Sequence, residues 1–208
     1  MTTFKKFYVK LSHDATKIVF AASITVTDTH LKLDRIIEGC RNGEAEARCE
    51  LYGMLSGAMF GLIRRYIRDE STAEDLLHDG FVTVYTKIGE YRGSGSFEGW
   101  CRRIFINTVM GYFRQRNPLD GAEDVTVART VRTPEPSVLD TMSAAEIKEC
   151  IDMLPAGYRT IFNLHAVDGY EYREIAGMLE ISEATVRSQY LRARMKLAEI
   201  ISRRLDEA

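Results

Sequence analysis

The sequence has few of the residues that mark secreted, zinc-binding or membrane proteins. It has only four cysteines, which lie far apart without any CxxC pair: Cys40, Cys49, Cys101 and Cys150. A structural zinc site is therefore not expected, and no other metal site is indicated. No apolar run approaches the length of a membrane span. The lysines near the start precede a short apolar run that Ser23 interrupts, so we expect a cytoplasmic protein with reduced thiols, without a signal peptide or membrane insertion.

Catalytic motifs and a strong excess of one charge are also missing. The four histidines are scattered, and no HExxH motif, nucleophile elbow or spaced carboxylate pair occurs, so we expect neither an enzyme nor a cofactor. The net charge is only −2, yet basic residues are concentrated in two places. Six stand between Glu183 and Arg204 against two acids, and four arginines stand between Trp100 and Arg116 with no acid. Such patches indicate contact with phosphate at chosen places.

Prolines are few, and three of the four fall within residues 117–140, where helical periodicity is weak. This composition predicts a flexible linker over residues 118–140. On both sides of it, apolar residues recur at helical spacing. The predicted inward residues include Leu77, Phe81, Val84 and Ile88 before the linker, and Ile147, Ile151 and Leu154 after it. We therefore predict an all-α protein with two helical domains, residues 31–117 and 141–208, joined by the linker. Residues 1–30 form an N-terminal extension with no assigned role, in which Phe4–Val9 and Ile18–Val26 are compatible with strands.

The second domain contains the pattern of a helix-turn-helix between Tyr172 and Ile201. Two amphipathic segments are separated by the short break Glu180–Ser182, and Ser182 stands where an N-cap belongs. The second helix of such a motif can enter the DNA major groove. Its predicted inner side is formed by Val186, Ala193, Leu197 and Ile200. Its predicted exposed side carries Arg187, Ser188, Gln189, Arg192 and Arg194. Arginine can read guanine, glutamine can read adenine and serine can hold a phosphate, although any surface helix can carry arginine.

Two predicted helices of the first domain carry unusual residues. In the helix around Leu55, three glycines fall four apart on one face, which predicts the close approach of a neighbouring helix: Gly53, Gly57 and Gly61. The next helix begins, by its pattern, with a capping box of Ser71 and Glu74. The start of that helix is rich in acids. A solvated helix start explains the acids, and so would a docking face for a basic partner.

A glycine-rich loop, Tyr91–Ser96, precedes the last helix of the first domain. The loop is not a phosphate cradle of the nucleotide-hydrolase type, because no GK[ST] follows. One stripe of the helix is predicted to hold Phe97, Trp100, Ile104, Phe105, Thr108 and Tyr112. A different face carries Arg103, Asn107 and Arg114. Aromatic rings beside arginines suit single-stranded DNA, whereas the alternative is that the rings are core. We expect most rings to be core, with one or two serving both purposes.

Two long segments resemble parts of bacterial RNA polymerase sigma factors. We find a resemblance to their region 4 in LPAGYRTIFNLHAVDGYEYREIAGMLEISEATVRSQYLRARMKL. We find a resemblance to their region 2 in AEDLLHDGFVTVYTKIGEYRGSGSFEGWCRRIFINTVMGYFRQRN. The linker stands directly between them, with no region 3 domain, and this arrangement is similar to the extracytoplasmic-function (ECF) subfamily.

The resemblance implies a function and a set of binding residues. The protein would direct core RNA polymerase to promoters, read the −35 element as duplex and melt the −10 element. Residues implied for the −35 element are Glu183, Thr185, Arg187, Ser188, Gln189 and Arg192. Those implied for the −10 element are Arg92, Ser94, Phe97, Trp100, Arg103, Asn107 and Arg114. Those implied for docking on the clamp helices of the polymerase β′ subunit are Asp75, Leu76, His78, Asp79 and Phe81. The β flap and an anti-sigma factor are further implied partners.

The sequence departs from the family pattern at several positions. Glu180 replaces the common glycine of the turn, Ala184 replaces a usual glycine, and His78 stands where glutamine is usual. Glu171 takes a position often filled by a serine or threonine cap. A left-handed backbone is easiest for glycine, so the turn at Glu180 is expected to differ or to be strained. The alternative function is a stand-alone helix-turn-helix regulator that uses residues 31–117 for sensing or dimerisation. An enzyme with a helical catalytic domain is disfavoured because catalytic motifs are missing.

Overall fold

A computed structural model of the chain describes residues 26–116 and 142–206. All regular structure in these two ranges is helical, so the predicted all-α class is confirmed. Contacts divide the chain into two compact units, one formed by Ala22–Tyr112 and the other including Phe113–Ala208. The predicted linker over 118–140 and the possible strands before residue 26 lie outside the described residues, while residues 26–30 of the predicted extension are helical.

Eight α-helices are described, in two groups. The first group is α1 (Val26–Arg41), α2 (Ala45–Arg64), α3 (Glu70–Lys87) and α4 (Phe97–Arg116), with a short 3-10 turn at Ile88–Glu90. The second group is α5 (Ala144–Asp152), α6 (Ala156–Phe162), α7 (Tyr172–Leu179) and α8 (Glu183–Asp206), with a π-helical turn at Asn163–Val167 between α6 and α7.

In the first unit, α2 is packed between α1 and α3. The buried side chains of α2 include Leu51, Met59, Leu62 and Ile63. The predicted inner stripe of α3 is confirmed, since Leu77, Phe81 and Val84 are buried, as is Ile88 just after that helix. Helices α3 and α4 meet at Gly80, where an added Cβ would lie 2.1 Å from Cε1 of Phe105. Only glycine allows that approach, which lets the Phe81 and Phe105 rings meet edge-on with centroids 5.2 Å apart.

The predicted close approach at the glycine face of α2 is wrong. Apart from the adjacent residues and the backbone of α2 itself, no heavy atom of the described residues lies within 4 Å of an added Cβ at Gly53, Gly57 or Gly61. The reason is the competing apolar stripe on the same helix. Burying large side chains such as Leu51 and Met59 removes much more apolar surface from water than burying glycine, so those side chains turn inward and the glycines face out.

The predicted capping box of α3 is also wrong. The helix begins at Glu70, and its N-cap is Asp69 rather than Ser71. One carboxylate oxygen of Asp69 accepts hydrogen bonds from the backbone N–H of Thr72 at 2.8 Å and from the Thr72 hydroxyl at 2.6 Å. A charged acceptor at a helix N-terminus also gains from the helix dipole, so the aspartate takes the cap from the nearby serine.

The inner face of α4 is rotated from the predicted stripe. Of the predicted residues, Phe97 and Phe105 are buried, whereas Trp100, Ile104, Thr108 and Tyr112 are only partly buried. The core is instead made by Cys101, Phe105, Ile106, Val109, Met110 and Phe113. Burial raises the pKa of the Cys101 thiol to about 12. This rotation places Trp100 at the edge of the solvent-facing side.

In the second unit, α5, α6 and α7 pack on the long helix α8. Ser143 begins α5 with a capping box: its N–H donates to Glu146 Oε2 at 2.7 Å, and its Oγ accepts from the N–H of Glu146 at 3.3 Å. The hydrogen bond from the Ser143 backbone N–H, together with the Ser143 side chain, holds the pKa of the Glu146 carboxyl below its usual value. The predicted inward residues of this part, Ile147, Ile151 and Leu154, are buried.

Helix α8 is the centre of the second core. As predicted, Val186, Ala193 and Leu197 are buried on its inner side. The last turn differs slightly, because Ile201 is buried while the predicted Ile200 is only partly buried.

Candidate nucleic-acid interface

The turn between α7 and α8 has the geometry that a helix-turn-helix requires. Glu180 ends α7 in the left-handed conformation, with φ 57° and ψ 41°. It is the one non-glycine residue with positive φ in the two described ranges. Ile181 N–H then donates to the carbonyl of Ala176 at 3.1 Å. Ser182 Oγ accepts from the N–H of Thr185 at 3.0 Å, which confirms the predicted N-cap of α8.

The N-terminal half of α8 presents a prearranged arginine. Arg187 Nη2 donates to Glu183 Oε1 at 2.6 Å, and its guanidinium lies 5.6 Å from the centroid of the Tyr172 ring. The hydrogen bond with Glu183 raises the pKa of Arg187. One residue later, the Ser188 hydroxyl donates to the carbonyl of Thr185 at 3.0 Å. Both side chains are exposed, as a contact with duplex DNA requires.

The glycine-rich loop of the first unit is closed by specific bonds. Gly93 and Gly95 have positive φ, 76° and 84°, which side chains rarely adopt. The Tyr91 hydroxyl donates to the carbonyl of Gly95 at 2.8 Å, and Arg41 donates to the carbonyl of Tyr91 at 2.7 Å. The remaining residues of the loop, Arg92 to Ser96, are exposed. The loop is therefore anchored at its start while its tip faces solvent.

Three aromatic rings lie where this loop enters α4. The centroid of Tyr91 is 5.0 Å from that of Phe97 and 5.7 Å from that of Trp100. Phe97 and Trp100 are stacked, with centroids 5.6 Å apart. Phe97 is buried, so it supports the cluster from below, whereas Trp100 is partly exposed. Phe97 is therefore a core ring, as expected, whereas a contact between Trp100 and DNA stays a prediction.

The solvent-facing side of α4 continues from Trp100. Arg103 and Asn107 are exposed, as is Arg114 further along the helix. On a helical wheel Trp100 lies within about 60° of Arg103 and nearer still to Asn107. An aromatic ring, a cation and an amide therefore share one face directly after the exposed loop.

A third surface lies on α3 and has the opposite charge. Asp75, His78 and Asp79 are exposed on one side of this helix. Val82, which is 50% exposed, falls three residues after Asp79 and four after His78, so it belongs to the same face. The combination of carboxylates with an exposed valine suits a basic partner that also buries apolar surface.

Two family models match this chain, and they follow each other in the same order as the two units. Residues 51–118 match "Sigma-70 region 2", and residues 144–197 match "Sigma-70, region 4". The RNA polymerase sigma-H factor of Pseudomonas aeruginosa is 29% identical over 185 residues, which cover 84% of this chain and 96% of that protein. The ECF RNA polymerase sigma-E factor of Haemophilus influenzae is 27% identical over 170 residues, 76% of this chain and 89% of that protein. The chain belongs to the ECF sigma factors of bacterial RNA polymerase.

Two solved complexes each contain a chain that is similar to this one. The structure of CnrH in complex with the cytosolic domain of CnrY has 21% sequence identity and a TM-score of 0.43, and covers 80% of this chain and 95% of its own. The structure of RpoE with the anti-sigma factor NepR from Bartonella quintana has 20% identity and a TM-score of 0.45, and covers 74% and 95%.

The residues implied for the −35 element of this sigma factor do not all face solvent. Arg187 and Ser188 are exposed, while Glu183, Thr185 and Arg192 are partly exposed. The expectation that Gln189 lies on the exposed side is wrong, because it is 8% exposed and its Oε1 is buried without a hydrogen-bond partner among the residues that the structure describes. Gln189 falls three residues after Val186 and four before Ala193, which places it on the inner side of α8. The same spacing could have shown this from the sequence.

Sequence reasoning also did not show that part of the set implied for polymerase docking is buried. Leu76 and Phe81, implied for polymerase docking, are 5% and 2% exposed and belong to the core. It missed two exposed apolar residues, Val82 on α3 and Leu191 on α8. The signal for both was their helical spacing from predicted surface residues, since Leu191 stands four after Arg187. No group of histidine, cysteine, aspartate and glutamate that could hold a metal occurs in residues 26–116 and 142–206, and no helix there is long and apolar enough to cross a membrane.

Proposed function

We propose that this ECF sigma factor works through three separate surfaces. The exposed acidic side of α3 docks on core RNA polymerase. The loop Tyr91–Ser96 and the solvent-facing side of α4 hold the melted −10 element, and α8 reads the −35 element as duplex. The factor contributes binding and no bond chemistry, since RNA synthesis belongs to the polymerase, and it therefore needs no cofactor. Its place of action is the cytoplasm, where the polymerase works.

The observation that carries this proposal is the partly exposed Trp100 beside Arg103 and Asn107. A protein that reads only duplex DNA needs a helix-turn-helix and has no use for an aromatic ring next to cations at the exit of an exposed loop. Base stacking on an aromatic ring stabilises single-stranded DNA by about 1–3 kcal/mol per base. Extruding a base costs a few kcal/mol, which such a ring and the arginine beside it can offset.

Contacts within α8 support its role at the −35 element. Glu183 and Tyr172 hold the Arg187 guanidinium in place before DNA arrives. A side chain that is already ordered loses less conformational entropy on binding. Ser188 is exposed on the same side, where its hydroxyl can turn from Thr185 to a phosphate.

Charge and burial support the polymerase-docking role of α3. The exposed members of the implied set are Asp75, His78 and Asp79, and Val82 adds apolar area among them. Leu76 and Phe81 hold the helix in the core, so we assign them a supporting role. The β flap and an anti-sigma factor are proposed as further partners on the strength of the family resemblance alone.

The decisive experiment is co-purification of the full chain with core RNA polymerase, followed by transcription in vitro from the promoter of its own gene. We expect the chain to associate stably with core RNA polymerase. Specific initiation should require both the chain and the core enzyme. A stand-alone regulator, the alternative function, would instead shift duplex DNA without polymerase. Failure to associate with core enzyme, after any co-purifying partner has been removed, would favour that alternative.

A further inference from the structure

Leu191 is the most exposed large apolar side chain of the described part of the second unit after Met153, with 55% of its surface accessible. It lies on α8 four residues after Arg187 and three after Ser188, so the three side chains occupy one side of the helix. The Arg187 guanidinium is turned towards Glu183, one turn earlier in α8, and therefore away from Leu191. Its neighbours on this side of α8, Arg187 and Ser188, are polar, so their character does not explain an exposed leucine beside them.

Because Gln189 is buried, α8 has no exposed side-chain amide that could recognise an A·T pair. Helix α8 contains a single glutamine and no asparagine, and that glutamine is 8% exposed. Bidentate recognition of adenine requires an exposed asparagine or glutamine, whereas arginine recognises guanine. Another way to identify an A·T pair in the major groove is apolar contact with the C5-methyl group of thymine.

We propose that Leu191 recognises the C5-methyl group of a thymine in the −35 duplex and so determines part of the promoter specificity. This inference rests on the proposed reading of the −35 element by α8. Along the helix axis Leu191 is about 6 Å beyond Arg187.

Replacement of thymine by uracil, which lacks only the methyl group, tests the contact. The holoenzyme, made from the full chain and core polymerase, first selects its −35 element from randomised duplexes. Each thymine of that element is then changed to uracil, one at a time on both strands, and holoenzyme affinity is measured. We expect about a fourfold loss at one thymine, the effect of withdrawing one buried methyl-sized group. With Leu191→Ala, the thymine and uracil duplexes should bind equally at that position.

Two variants separate this contact from general effects. Leu191→Met keeps an apolar side chain and should retain the uracil effect. Leu31→Ala removes a leucine that is 65% exposed on α1, in the other unit, and should leave the uracil effect complete.

The inference is overturned if no thymine is sensitive in the wild-type holoenzyme, if Leu191→Ala keeps the same sensitivity, or if the selected element contains no thymine on either strand. These outcomes leave the sigma assignment intact, because each of them requires that the holoenzyme has already selected a −35 element by specific binding. A holoenzyme that selects no −35 element at all would instead contradict the proposed function, and the inference with it.

Discussion

Glu180 occupies a backbone conformation that costs free energy for any residue with a Cβ. Its φ of 57° closes the turn between α7 and α8, at a position where the family commonly has glycine. The left-handed conformation costs an ordinary residue roughly 1–2 kcal/mol, part of which glycine returns through its greater freedom in the unfolded chain. The sequence predicted that this turn would differ from the family pattern or be strained, because the departure from glycine falls at the end of a helix.

Glu180→Gly should therefore stabilise the second unit by about 0.5–1 kcal/mol. The free energy of opening can be measured by hydrogen exchange of the α8 amides, which lie in that unit's core. Glu180→Ala is the matched control, since it removes the same carboxylate but keeps the Cβ and the strain. Equal stabilisation by both substitutions would show that the side chain, and not the backbone, is responsible.

Gln189 loses stability through its side chain instead, because its Oε1 is buried without a hydrogen-bond partner among the described residues. A buried polar atom that lacks a hydrogen bond costs about 1–3 kcal/mol, and an apolar side chain of the same shape avoids that cost. We expect Gln189→Met to raise the stability of the second unit by about 1 kcal/mol and to leave −35-dependent transcription unchanged.

The measurement pairs hydrogen exchange with transcription from promoters that carry intact or altered −35 elements. Gln189→Ala serves as the control, because it removes the same oxygen but leaves a cavity and should destabilise. Loss of −35 discrimination by Gln189→Met, with the unit folded, would mean that the glutamine reaches the DNA after all.

At the scale of helices, periodicity located the elements better than it located their faces. The helix-turn-helix, its Ser182 cap and the inward positions of α5 followed from local spacing, because each depends on residues within one or two turns. The exposed glycines of α2 and the rotated core of α4 depend on which of two competing faces finds the larger apolar partner. Packing between helices, such as Gly80 against Phe105, determines which face turns inward. A single sequence does not reveal such contacts between helices.

The exposed side of α3 yields a prediction at this scale. Asp79→Arg should weaken binding to core polymerase about tenfold or more, because a new positive charge replaces a negative one opposite a basic partner, and like charges at an interface cost several kcal/mol. Affinity for core enzyme can be measured by fluorescence titration, with circular dichroism to verify the fold.

The matched control is Asp34→Arg, the same charge reversal at an exposed position of α1. It should leave core affinity unchanged. If Asp79→Arg and Asp34→Arg have equal effects, the loss reflects overall charge and the docking role of α3 is withdrawn.

For the whole molecule, the division into two units has a functional consequence. Trp100 belongs to one unit and Arg187 to the other, and each is held by contacts within its own unit, to Phe97 and Tyr91 in one case and to Glu183 and Tyr172 in the other. Residues without shared partners contribute independently to a common free energy. The free energy of promoter recognition should then be the sum of two contributions, one from each unit, when both units are bound to the same polymerase.

Trp100→Ala and Arg187→Ala should each slow formation of the open complex by roughly 5- to 150-fold, the equivalent of about 1–3 kcal/mol for a stacked base or a bidentate guanine contact. Because the two effects are independent, the double variant should lose the product of the two factors. The rate is measured on one promoter with holoenzyme made from each variant. On a promoter whose −35 element has been altered, Arg187→Ala should cause no further loss while Trp100→Ala keeps its full effect. A double variant no slower than the worse single one would mean that both residues act on the same promoter element, and the assignment of separate elements to the two units would then fail.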